Sequence, residues 1–156
     1  MRRPWSASAC LAWAVLGCST GATYAQFAAR TPPPPQGQGR IIVYLTDVTE
    51  APSFWPIITV DGQALGQIRT GTFFYVDEPA GIHQIGVGVK ESNAAFGSQG
   101  ATQPVFVGVA PGTTSYVQVF VTAPPGMVAV QLQPEDAENG LHDLSSLHYV
   151  APTPAP

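Results

Sequence analysis

Few side chains in this sequence are placed where they could do chemistry, and the first is a histidine. His83 follows the turn Pro79-Ala80-Gly81 and opens a β-type segment. An imidazole there could serve as a general base or a metal ligand, but either role needs a nucleophile or further ligands within reach. None stands at a useful spacing, so His83 is read as a residue that hydrogen-bonds the turn backbone and fixes a hairpin. His142 and His148 are six apart, which suits neither one helical face nor a strand end completed by a third ligand, and no zinc site is expected. Glu135, Asp136, Glu138 and Asn139 gather oxygen donors before Gly140, without the EF-hand spacing; a solvated acidic loop is expected. Asp77 and Glu78 are paired carboxylates of the kind glycosidases set across a cleft. As neighbours on a strand they point to opposite faces and are poor partners for each other.

Aromatic residues offer a different chemistry, stacking on sugar rings or packing against a partner protein. Strand alternation would bury Phe73 and Tyr75, or Phe74 alone. Phe54 and Trp55 precede Pro56 in an irregular stretch, and they form the candidate binding surface, with Trp55 the better surface aromatic. There is no Gly-rich phosphate loop, no Ser-centred nucleophile elbow and no Cys/His cluster. No catalytic residue, metal or cofactor is therefore assigned.

The elements that must position these residues have a period of two. Residues 40–46 are β-branched and aromatic. Residues 57–60 form a second strand ended by Asp61-Gly62, a strong hairpin signal, and 64–68 return from it. Residues 72–76, 82–90, 105–109, 115–122 and 127–133 read as further strands separated by Pro/Gly turns. Residues 91–103 form the longest irregular loop, and 141–150 are either one helical turn or a last edge strand. The expectation is an all-β fold: an antiparallel β-sandwich of seven or eight short strands, immunoglobulin-like or transthyretin-like.

Composition agrees with that class. Only 10% of the 156 residues are charged, against a usual ~25%, while Gly and Pro number 16 each. Six Lys and Arg against ten Asp and Glu exclude the basic footprint of a nucleic-acid binder.

The two ends read as something other than domain. Arg2-Arg3 followed by the apolar run 11–16 is a secretory signal, too short to span a bilayer. Two processing sites compete. Val15-Leu16-Gly17-Cys18 resembles a bacterial lipobox, which would make Cys18 a lipidated N-terminus; Thr23-Tyr24-Ala25 suits ordinary cleavage after Ala25. The balance leans to Cys18. With Cys10 inside the signal, the folded domain has no disulfide. Loss of Arg2 and Arg3 leaves Arg30, Arg40, Arg69 and Lys90 against ten acids, a net charge of −6 that favours solubility. The resulting organisation is a signal peptide over 1–25, a Pro/Gly-rich linker over 26–39 built on Pro32 to Pro35, a domain over 40–150 and a disordered Pro-rich tail over 151–156.

Three motifs then fall in order: Val60-Asp61-Gly62-Gln63, the aromatic strand from Thr72 into Pro79-Ala80-Gly81-Ile82-His83, and Pro111-Gly112 leading to the Tyr116 strand. That order resembles a bacterial envelope family catalogued as domain of unknown function 2846. More distantly it is similar to small surface modules with a Pro-Glu-Gly-Ala turn. The usual Pro-Gly-x-His is interrupted here by Ala80, and Gln63 replaces the basic residue after Asp-Gly. The resemblance implies a sandwich, frequently lipid-anchored, with no known activity.

The expected function is a non-catalytic exported cell-envelope protein, a lipid-anchored structural or interaction module of the periplasm or outer membrane. The alternatives are an extracellular glycan- or protein-binding module and, third, an unfamiliar hydrolase. Expected partners are the membrane, through lipid on Cys18, and an envelope protein or glycan, with no nucleic acid.

Overall fold

The computed structural model describes residues 21–46, 55–88, 103–122 and 128–152. They form two helices and nine strands: α1 Tyr24–Arg30, β1 Gln38–Leu45, β2 Ile57–Val60, β3 Gln63–Gln67, β4 Thr72–Pro79, β5 Gly81–Gly88, β6 Val105–Val109, β7 Thr114–Thr122, β8 Ala129–Glu135, α2 Ala137–Leu144 and β9 His148–Tyr149. One sheet has the order β8-β7-β1-β4-β9 and the other β3-β2-β5-β6. The expected β-sandwich is present.

It is not wholly antiparallel. β1 is antiparallel to β4 but parallel to β7, and β9 runs parallel to β4. The reason lies in chain order. Between β1 and β7 the chain crosses to build all of the second sheet, β2, β3, β5 and β6, and so returns without a hairpin constraint. Parallel neighbours need such a long crossover.

β1 explains the layering. Gly39 to Leu45 are all buried, without the polar alternation of a half-exposed strand, as expected when both faces are covered. Ile41, Val43 and Leu45 face the second sheet, in a core with Ile58, Ile85, Phe74, Val107, Val117 and Val119. Ile42 and Tyr44 face the other way, in a smaller core with Phe27, Phe73, Tyr116, Leu144 and Leu147. Helices α1 and α2 supply Phe27 and Leu144, so the molecule has three layers: helices, five-stranded sheet, four-stranded sheet. This corrects the expected choice between Phe73 and Phe74. Both are fully buried, on opposite faces, because a third layer covers what would have been the solvent side. Each contributes about 1.5–3 kcal/mol by leaving water.

The N-terminal linker expectation is also corrected in part. Residues 24–30 form helix α1, with Phe27 buried against Phe73 and stacked on Tyr149 at 5.0 Å. Thr23 and Gln26 make a reciprocal capping box: Thr23 N–H donates to Gln26 Oε1 (3.2 Å), and Gln26 N–H to Thr23 Oγ1 (3.4 Å). Ahead of the helix, the Ala22 carbonyl accepts a hydrogen bond from Tyr149 N–H at 2.7 Å. The proline run that follows is held too. Arg40 Nη2 donates to the Pro32 carbonyl at 3.0 Å, while its guanidinium forks onto Asp77 at 2.7 and 2.8 Å and lies over the Tyr75 ring. Residues 1–20, with Cys10 and Cys18, and the tail beyond Pro152 lie outside the described residues, as does nearly all of the 91–103 loop.

At the C-terminal end both readings of 141–150 hold in succession, α2 and then β9. The expected acidic loop is in fact the start of α2. Asp136 is its N-cap, accepting from Asn139 N–H at 2.8 Å. An acceptor side chain there satisfies an amide with no partner inside the helix.

Candidate functional site

The β2–β3 turn places Asp61 and Gly62 at φ 49° and 80°, both left-handed, as a two-residue hairpin of type I′ requires. That geometry points the Asp61 carboxylate across to β5. One oxygen accepts the Gln84 backbone N–H at 2.9 Å, and the other lies 2.8 Å from His83 Nδ1. His83 Nε2 is 2.8 Å from the Pro79 carbonyl. His83 therefore fixes the β4–β5 turn, as the sequence suggests, and also ties it to the Asp61 turn, which spacing alone did not reveal. The bond to Asp61 is the main influence raising the His83 pKa above its ordinary value. The Gln84 amide, then His83, hold the Asp61 carboxyl below its ordinary range. With both nitrogens committed and the ring buried, His83 is built as a clip.

Trp55 is on the surface at 37% exposure. The Ile68 N–H to Pro56 carbonyl bond (3.0 Å) brings its stretch beside Arg69, whose guanidinium lies 4.5 Å from the indole ring centre. One indole face is thus occupied by a cation. Phe54 lies outside the described residues.

The remaining candidates are dispersed. Asp77 is the Arg40 partner, and Glu78 adds its charge to the field at His83. His142 sits on α2 and His148 on β9. Among the described residues no three His, Cys, Asp or Glu side chains gather as a metal site. Asp143 accepts a hydrogen bond from Tyr44 Oη at 3.2 Å, and burial is the first cause raising the Tyr44 pKa. Sequence reasoning missed a cluster of rings. Phe27, Phe73, Tyr75 and Tyr149 meet with ring centres 5.0–5.9 Å apart. Only the fold assembles them, since they come from α1, β4 and β9.

No family model matches the chain, and no curated protein is similar to it. The likeness to the envelope family therefore rests on the three turn motifs alone.

Proposed function

We propose that this is a non-catalytic cell-envelope module, exported and anchored by lipid on Cys18. The observation that supports it is how Gly21, Ala22 and Thr23 are packed. A Cβ on Gly21 would collide with the Tyr149 carbonyl, Ala22 accepts from Tyr149, and Thr23 caps α1. Processing at Cys18 keeps all of these. A cut after Ala25 would discard the capping box and Tyr24, whose ring packs 5.7 Å from that of Phe73.

The anchored reading changes the role of Pro32 to Pro35. They follow α1, so they do not space the domain from Cys18. A lipid on Cys18 would hold the α1 side of the sheet close to the bilayer. A structural role is further supported by His83, the one histidine of the family-like motif, since its ring is used up in turn contacts.

Intact-mass spectrometry of the native protein tests the proposal. A chain starting at acylated Cys18, converted by Cys18→Ser to an unprocessed precursor, is the expected result. A mature chain starting at Gln26 overturns it. A recognition role rests on Trp55 and Arg69, and predicts that Trp55→Ala keeps the fold but weakens capture of envelope glycan or protein.

A further inference from the structure

Between α1 and the β4–β9 edge lies an open cavity of about 220 Å³. Its walls are Phe27, Tyr75, Tyr149 and the methyl group of Ala22, almost entirely carbon. Gln26, Arg30 and Thr31 complete the lining. Gln26 and Arg30 are one helical turn apart, on the same side of α1. Gln26 spends its amide oxygen on the Thr23 N–H. Arg30 is exposed and forms no ion pair among the described residues.

An unpaired guanidinium in a chain with ten acids and six basic residues is a conspicuous binding point for an anion. Arg40, by contrast, is paired with Asp77 and lies over the Tyr75 ring, 4.3 Å from its centre. The volume limits the rest of the ligand. A dry apolar cavity of about 150 Å³ takes benzene, whereas drug-sized ligands occupy roughly 300–1,000 Å³. This cavity therefore suits a single ring with a short substituent. Aromatic walls favour an aromatic guest, which can meet them edge-to-face or offset.

We propose that the α1–β4–β9 cavity binds a small aromatic acid, its ring against Phe27, Tyr75 and Tyr149 and its carboxylate on Arg30, with Gln26 and Thr31 as further donors at the rim. The site does not depend on lipid anchoring; it requires only that Ala22 and α1 are retained.

Amide chemical-shift titration of the folded protein with phenylacetate, benzyl alcohol and acetate separates the ring from the charge. Phenylacetate should give saturable shifts at Ala22, Gln26, Arg30 and Thr31. Benzyl alcohol lacks the charge and acetate lacks the ring, and each should bind at least tenfold more weakly. Arg30→Gln should weaken phenylacetate about tenfold, the scale of one charge-assisted hydrogen bond, while Arg69→Gln should leave it unchanged. Ala22→Leu, which fills the cavity, should abolish the shifts. Because Arg30 is exposed, its replacement tests the site without threatening the fold. Absence of saturable shifts, shifts centred elsewhere, or equal binding by the Arg30→Gln protein overturns the proposal.

Discussion

Raising the pH from about 6 to about 9 should loosen the clip that His83 makes between two turns, and His83→Gln should remove most of that pH dependence. The two ring nitrogens face a carboxylate of Asp61 and the carbonyl of Pro79, each at 2.8 Å, and both are acceptors. A neutral imidazole has one N–H and can satisfy only one of them. The imidazolium satisfies both. The Asp61 bond is the largest cause raising the His83 pKa above 6.5, followed by the Pro79 carbonyl; partial burial opposes them, and the charges of Asp61 and Glu78 assist. A group whose pKa rises on folding gives stability that is complete below its ordinary value and is lost as pH climbs through the folded value. For His83 the loss therefore begins above pH 6.5. Asp61 has the opposite sign. Its carboxyl is held below 3.8, first by the Gln84 amide and then by His83, so its contribution is present above 3.8 and disappears on acidification. The contribution of this pair should be level between these limits. The Asp61 side chain is 52% exposed, so water and salt damp the Coulomb part of the pair and the hydrogen bonds set the scale.

Glutamine at position 83 can keep one of the two contacts. Losing the other costs about 1 kcal/mol at pH 6. With a urea m-value of ~2 kcal/mol/M, the unfolding midpoint falls by about 0.5 M. Once the wild-type ring has lost its second proton it too has one N–H for two acceptors, so the two midpoints should converge as the pH rises. Urea unfolding followed by circular dichroism at several pH values reads this directly. A gap between wild type and variant that stays constant or widens with pH would refute the two-acceptor argument.

Gly140→Ala should destabilise by about 1–3 kcal/mol although alanine is the better helix former, because a Cβ there would stand 2.6 Å from the Tyr116 ring; a raised calorimetric midpoint would contradict it. Asp136→Ala should cost about 1 kcal/mol through loss of the α2 cap, with Asp136→Asn close to wild type in the same unfolding assay. Phe27→Ala should cost about 3 kcal/mol and detach α1, so that limited proteolysis cuts near Arg30 before it reaches the strands; equal protection in wild type and variant would show that α1 is held by other contacts.

Strands were legible wherever turn chemistry and alternation agreed. Asp61-Gly62 gave the β2–β3 hairpin because its two left-handed positions admit few other residue pairs. The central strand was legible as a strand but not as the middle of three layers. A run such as Ile41 to Leu45 is compatible with a cover on either face, and what covers it comes from 27 and 144, far along the chain. The parallel β1–β7 pairing has no local signal at all, since register between distant strands is a property of the whole sheet. His83 was half legible. Its turn contact follows from spacing, whereas the Asp61 contact needs β2 and β5 to be neighbours, at Val60 opposite Ile85.

The N-terminal helix failed to be read for a different reason: the same residues carry two messages. Thr23-Tyr24-Ala25 suits a peptidase because small residues stand near the cut, and the same Thr23, with Gln26 three residues on, is a capping-box signature ahead of Phe27. Small and helix-favouring residues serve both purposes, so composition cannot separate them. Packing can. Phe27 is 6% exposed and its ring lies against three aromatic rings from the sheet and its edge. An address segment discarded after export has no use for such contacts. Helix α1 seals one face of the five-stranded sheet, and the Thr23 cap and the Ala22 pairing to Tyr149 orient it. On the proposed reading of an exported, processed chain, the need to cover Phe73 favours a cut at Cys18 over one after Ala25.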